Sequence, residues 1–244
     1  MNILLLGDVH GNWHQLNKVL RRAFEKNPNI THVIQVGDFG YAWPGSKAHR
    51  IEVETDAEFL WLDGNHENFT QLQLDGGQSQ PGWKHCPRGS LRRPGAVPYP
   101  ERSKYEDHMI MFFGGATSID KNRRTPGYEW WNEENITYRQ MTKALNLKLT
   151  KPNYPDIICS HDCPDSFSFV ASMYKNKPDP NRIALDQLLE KFTPKFWFFG
   201  HHHDFAEGED NGTKWFCCPI IDSGKYMIFD GETVKYSWEG TIQV

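Results

Sequence analysis

Ile3-Leu4-Leu5-Leu6-Gly7-Asp8-Val9-His10-Gly11-Asn12 sets an apolar run directly against a glycine, a carboxylate and an imidazole. Four residues are too few for a helix, and an aliphatic run bounded by Gly and Asp reads as a strand buried on both faces. The same arrangement recurs along the chain. His32-Val33-Ile34-Gln35-Val36 runs into Gly37-Asp38, and Phe59-Leu60-Trp61-Leu62 leads to Gly64-Asn65-His66-Glu67. Asp156-Ile157-Ile158-Cys159 runs into Ser160-His161-Asp162, and Phe196-Trp197-Phe198-Phe199 into Gly200-His201-His202-His203.

Between the first two runs, Leu16, Val19, Leu20 and Phe24 keep helical spacing and predict a helix over 13–26. Ile183, Leu185, Leu188 and Leu189 predict another over 181–192, with Asn181 able to cap it. Strand, polar loop, helix and strand make a βαβ unit, so the fold class is α/β. Ligands of such sheets gather beyond the carboxyl ends of the strands. All the polar clusters lie there and can converge on one site. From Trp215 onward the pattern is of short strands, with turns at Asp222-Ser223-Gly224 and Asp230-Gly231.

With 244 residues, 38% hydrophobic and 24% charged, the chain can fill the core of one large domain over 1–244. Basic residues number 27 against 31 acidic, a net charge of -4, which excludes a globally basic nucleic-acid binder but leaves room for a local groove. No apolar run is long enough to span a membrane, and the N-terminal one is too short for a secretory leader. The five cysteines are an odd number without zinc-ribbon pairing. They read as reduced core thiols in a cytoplasmic protein.

The segment 75–135 differs. It is rich in Gly, Pro and Arg, and a strand over 108–113 interrupts it, ending at Gly114-Gly115. It reads as an insertion or lid. Most of the arginines from Arg88 to Arg102, including Arg92 and Arg93, read as solvated charge. Arg123 and Arg124, placed after that strand, are candidates for binding a substrate phosphate. Trp130-Trp131 reads as core filling ahead of a base-stacking platform.

The chemistry rests on Asp8, His10, Asp38, Asn65, His66, His161, His201 and His203. Carboxylate, amide and imidazole together suit divalent Mn, Fe, Zn, Ni or Co, and not a calcium cage. In extended turns Asp8 and His10 would face one way, as would His201 and His203, with His202 facing away. His14, His32, His49, His85, His108 and His202 lack partner spacing.

Gly7-Asp8-Val9-His10, Gly37-Asp38, Gly64-Asn65-His66-Glu67, Ser160-His161 and Gly200-His201-His202-His203, in this order, resemble the motifs of the calcineurin-like metallophosphoesterase superfamily. The likeness implies a four-layer sandwich, two mixed β-sheets flanked by helices, holding two divalent transition-metal ions, manganese favoured. By this resemblance Asp8, His10 and His203 would bind the first metal, and Asn65, His161 and His201 the second. Asp38 would bridge them, and a hydroxide shared by the metals would attack phosphorus. His66 would be catalytic, protonating the leaving group or steadying the phosphoryl charge. Glu67 would orient His66 or open the next helix, and Asn12 would order the first loop beside the substrate.

One departure narrows the expectation. Gly37-Asp38 continues into Phe39-Gly40-Tyr41-Ala42-Trp43, without the further Asp and Arg of the superfamily's protein phosphatases. The aromatic replacement suits a flat base or an alkyl leaving group. The expected activity is a metal-dependent phosphodiesterase acting on nucleotides, cyclic ones included, or on other small phosphodiesters. Rival readings are a broad-specificity phosphomonoesterase, a nuclease using the Arg-rich segment, and a catalytically inert metal-binding interaction module. The intact ligand set and His66 count against the last.

Overall fold

The computed structural model describes residues 2–45, 53–77, 82–93, 108–170 and 177–238. His49 and Arg102 lie outside these residues, as do parts of the 75–135 segment. Strands β1 (Ile3–Leu6), β2 (His32–Gln35), β3 (Glu58–Trp61) and β4 (Trp83–His85) run parallel. Antiparallel β11 (Met227–Phe229) and β12 (Val234–Tyr236) extend their sheet beyond β1. A second sheet takes the order β5 (Ser90–Arg92), β6 (Ile110–Phe113), β7 (Ile157–Ser160), β8 (Phe196–Phe199), β10 (Thr213–Cys217), β9 (Ala206–Asp210). Its central strands β6, β7, β8 and β10 are parallel, and β5 and β9 are antiparallel edges. Each sheet is therefore mixed and six-stranded among the described residues.

Strand alternation explains why these runs are apolar throughout. Ile3 and Leu5 point between the sheets, where they meet Ile34, Leu60, Phe112 and Phe198. Leu4 and Leu6 point outward beneath α1 (Trp13–Lys26), against its Leu16, Val19 and Leu20. On the far side Met111, Phe113, Trp197 and Phe199 pack beneath α3 (Tyr138–Leu145) and α4 (Pro180–Phe192). Helix, sheet, sheet, helix is the four-layer sandwich that the family resemblance implies. Each fully buried aliphatic or aromatic side chain contributes about 1.5–3 kcal/mol, so three stacked clusters supply most of the stability. All five cysteines are free and buried in these layers.

The structure differs from the sequence reading in several places. The cap of α4 is Asp179, which accepts from the Asn181 and Arg182 amides, because Pro180 takes the first helical position. Asn181 instead donates to Thr117 Oγ1 at 2.8 Å and accepts from the Ile136 amide at 2.7 Å. The described parts of 75–135 supply β4, β5 and β6, and are thus woven into both sheets. Arg88 is not a solvated charge. Only 4% of its side chain is exposed, and it pairs with Asp63 at 2.6 Å while donating to the carbonyls of Asn135 and Glu134. It ties the loop after β3 to the segment before α3. A short α2 (Phe69–Asp75), capped by Asn68, follows the Asn65-His66 loop.

Candidate metal centre

Every candidate ligand sits just past a strand's carboxyl end, where its loop is knitted to the neighbouring one. The amides of Val9 and His10 both donate to the Asp38 carbonyl, at 2.9 and 2.8 Å, locking the loop after β1 to that after β2. Gln35, fully buried at the end of β2, reaches back to the carbonyl of Gly7 at 3.2 Å. The amides of Asn65 and His66 both donate to Asp38 Oδ1 at 2.7 Å. Asp8 Oδ1 accepts from the His201 amide at 3.0 Å, joining the two sheets.

The side chains then converge. His203 Nε2 lies 3.1 Å from both Asp8 Oδ2 and His10 Nε2. His161 Nε2 lies 3.2 Å from Asp38 Oδ1 and 3.1 Å from Asn65 Oδ1. Asp8, His10 and His203 form one potential ligand group, and Asp38, His161 and His201 another. The oxygens of Asp38 serve both: Oδ2 is 3.7 Å from His10 Nε2, and Oδ1 faces His161. All seven residues expected to bind metal are thus brought to one place.

These positions fit divalent cations. Asp8 Oδ2 is buried without a hydrogen-bond partner; His203 Nε2 stands near it but is not aligned as a donor. His161 Nδ1 donates to the Val36 carbonyl at 2.9 Å, which leaves Nε2 as the ligating nitrogen. The turns are not extended, however. His10, Asp38, His201 and His203 all have positive φ, between 48 and 66°. Left-handed turns, not alternation, aim the ligands, and such strain is characteristic of sites that the surrounding structure over-determines. Small neighbours make room for them. A Cβ on Gly64 would sit 2.1 Å from Asp38 Oδ1, and one on Gly200 would sit 2.5 Å from Asp8 Oδ1.

The electrostatics follow from burial and close packing. Burial alone would lower His161, but the carboxylates of Asp38 and Asp8 outweigh it and push the imidazole up to about 10. Burial also opposes ionisation of Asp38, yet the surrounding histidines hold it well below the usual carboxylate range. Burial pulls His201 down to about 4. Burial does the same to His66, helped by the nearby His10 and Arg124 and opposed by Asp38, again to about 4.

His66 Nε2 stands 3.9 Å from Asp38 Oδ2 and accepts from Arg124 Nη2 at 2.8 Å. Arg124 is held in turn by Asp120 at 2.7 Å and lies over the Trp43 ring. Its neighbour Arg123 is exposed and makes no contact with the site among the described residues. Asn12 does not face the cluster: its Oδ1 caps α1 through the Gln15 amide, and its Nδ2 donates to Asp222 at 2.6 Å. Glu67 neither orients His66 nor opens α2. Fully buried, it accepts from the amides of Phe39, Tyr41 and Gly64, clamping the Asp38 loop. Phe39 and Tyr41 are fully buried and stack on Trp61, so of that aromatic run Trp43 alone stands beside His66. Trp131 is core, as expected, with its indole N–H on Thr70.

Several residues about the site were not legible in the sequence. His202 pairs with Asp162 at 3.1 Å inside the protein, joining the turn after β7 to that after β8. Ser118 and Glu134 form a buried pair beside Asn65. No local signal marks Glu134, which follows Trp130-Trp131 and precedes an exposed helix start.

The family model for calcineurin-like phosphoesterases matches residues 1–205. The chain belongs to this family. No curated protein matches it in sequence. Among solved structures it is similar to the Thermus thermophilus protein TT1561, at 10% identity and a TM-score of 0.57, over 96% of this chain and 97% of that one. It is also similar to a dimetal phosphatase from Danio rerio, at 13% identity and a TM-score of 0.53, over 97% and 98%. A Staphylococcus aureus protein described as a 5′-nucleotidase shares 12% identity and a TM-score of 0.54, over 93% of this chain and 50% of that chain. These likenesses concern the fold. As a member of this dinuclear-metal-dependent family, the chain is a hydrolytic phosphoesterase with grouped candidate metal ligands. Among the described residues no helix is long and apolar enough to cross a membrane.

Proposed function

We propose that this phosphoesterase is a phosphodiesterase acting on nucleotides or other small phosphodiesters, with manganese as the favoured metal. Asp8, His10 and His203 would hold one cation and Asn65, His161 and His201 the other, with Asp38 available to both. Two such cations supply an activated water and neutralise charge on phosphoryl oxygens. The five buried free thiols suit a reducing, cytoplasmic setting.

The observation that carries the diester reading is the Arg124–His66 contact. A phosphodiester bears one negative charge where a monoester bears close to two. Among the described residues Arg124 is the basic side chain that reaches this edge of the cluster, and one guanidinium matches one charge. Arg124 turns an N–H to a phosphoryl oxygen, which releases His66 Nε2. Beside the phosphoryl charge the freed nitrogen would gain a proton from solvent and carry it to the leaving oxygen. Trp43 supplies an apolar edge for the leaving group.

The test is hydrolysis of bis(p-nitrophenyl) phosphate against p-nitrophenyl phosphate with Mn²⁺, each with a chelator control. Faster, chelator-sensitive diester cleavage is expected. Faster monoester cleavage would move the activity to a phosphomonoesterase and leave the ligand assignments in place.

A further inference from the structure

Ser118, in the loop beyond β6, is 1% exposed, and three groups meet at its hydroxyl. Asn65 Nδ2 donates to it at 3.0 Å and Arg124 Nη1 at 3.2 Å. It donates in turn to Glu134 Oε2 at 2.7 Å, while its own amide donates to Glu134 Oε1 at 3.0 Å. A hydroxyl has one proton and two lone pairs, and here all three are used.

The direction of each bond is fixed by chemistry. A guanidinium can only donate and the Glu134 carboxylate accepts, so the hydroxyl proton goes to Glu134 and the second lone pair is left to face Asn65. Burial pushes the Glu134 carboxyl up, and the two hydrogen bonds from Ser118 pull it back toward the charged form. With the hydroxyl rotor set this way, the Asn65 amide is held with Nδ2 toward Ser118. Its Oδ1 is left facing His161 Nε2 at 3.1 Å. A reversed amide would turn NH₂ toward the cluster and could not ligate a cation.

We infer that Ser118 and Glu134 are positioning residues that orient the Asn65 ligand oxygen and the Arg124 guanidinium through a single shared hydroxyl. This rests on the reading of Asn65 as a metal ligand. It joins one metal position to the substrate arginine by a path that touches neither metal nor substrate. Outer partners of this kind carry about 10–100-fold in metal affinity.

The experiment titrates chelator-stripped wild type, Ser118→Ala, Ser118→Thr and Glu134→Gln with Mn²⁺ alone, counting bound ions by calorimetry. Thermal melting of the stripped proteins checks their folding. Wild type should bind two ions. Ser118→Ala should weaken one of them about 10–100-fold and spare the other, and Ser118→Thr, which keeps the hydroxyl, should restore it. Glu134→Gln offers one oxygen to the two Ser118 donors, so it should weaken the same ion. It should also raise KM for bis(p-nitrophenyl) phosphate, and it serves if Ser118→Ala does not fold. Two ions bound by Ser118→Ala or Glu134→Gln as tightly as by wild type would overturn the inference while leaving the metal centre intact. Wild type binding fewer than two ions would instead remove the metal reading beneath it.

Discussion

The guanidinium of Arg124 donates to the ring nitrogen of His66 at 2.8 Å, so a residue from the irregular stretch after β6 closes on one from the loop after β3. A nitrogen that accepts this bond is unprotonated, in keeping with the low affinity for protons that burial gives His66. Arginine is thereby held at the edge of the candidate ligand cluster by Asp120, Ser118 and His66.

Arg124→Ala should lower kcat/KM for a diester about 10–100-fold, the range of a charged hydrogen bond worth about 1.5–3 kcal/mol. Arg124→Lys should recover little, because an ammonium lacks the planar fork that holds Ser118 and Asp120 while presenting an N–H to a phosphoryl oxygen. Steady-state kinetics with bis(p-nitrophenyl) phosphate decide this, and unchanged kcat/KM in Arg124→Ala would remove the arginine from the reaction.

His66→Gln should slow turnover about 10²–10⁴-fold and keep both metals, since the two proposed ligand sets are complete without the ring, even though it also groups with His10 and Asp38. Asp38→Asn should lose metal as well as activity, because its two oxygens face different ligand groups. Metal analysis of the two purified variants separates the roles. Metal loss in His66→Gln would mean that His66 is a ligand.

Gly64→Ala is expected to bind metal poorly despite its modest chemistry. The added Cβ would lie 2.1 Å from Asp38 Oδ1 and 2.3 Å from the Asp38 amide. The backbone must shift, at a cost of about 1–3 kcal/mol. A melting curve and a metal count like those of wild type would show that the loop yields freely.

Arg88→Ala should destabilise the protein by about 3–5 kcal/mol at neutral pH, because it removes the only guanidinium on the buried Asp63 carboxylate among the described residues and leaves it His85 alone as an ion-pair partner. In wild type, Arg88 and His85 outweigh burial and hold Asp63 well below the usual range. Its contribution is therefore complete above the unfolded value of about 3.9 and fades as pH falls below it. In the variant the stranded carboxyl can protonate on acidification, so the gap between the proteins should narrow toward pH 4. Urea unfolding in chelator at two pH values measures it; a gap that widens in acid would contradict the pairing.

Much of the fold was legible because both-face burial leaves a plain trace. Ile3 to Leu6 and Phe196 to Phe199 are uniformly apolar since alternate residues meet different clusters. The candidate ligands were legible because each follows such a run, in most cases beside a close-packed glycine, with Ser160 in that place before His161. What escaped is the polar wiring between them. Arg88, Glu67, Ser118 and His202 act on partners distant in the chain, and nothing local distinguishes a buried Arg or Ser from a solvated one. The expectation of extended turns failed for a similar reason. The left-handed backbone of His10 and His203 is imposed by neighbouring loops, through bonds such as that from the His10 amide to Asp38, and not by residue type.

His10 and His203 touch across 193 positions of sequence. No subset of the chain shorter than that span holds a whole ligand group for the first cation. On a ribosome, the cluster cannot close until β8 and the turn after it have emerged. Contacts this non-local are slow to form because loop closure must precede them. If Asp8, His10 and His203 hold a cation together, as proposed, that cation is captured only after the two sheets have met.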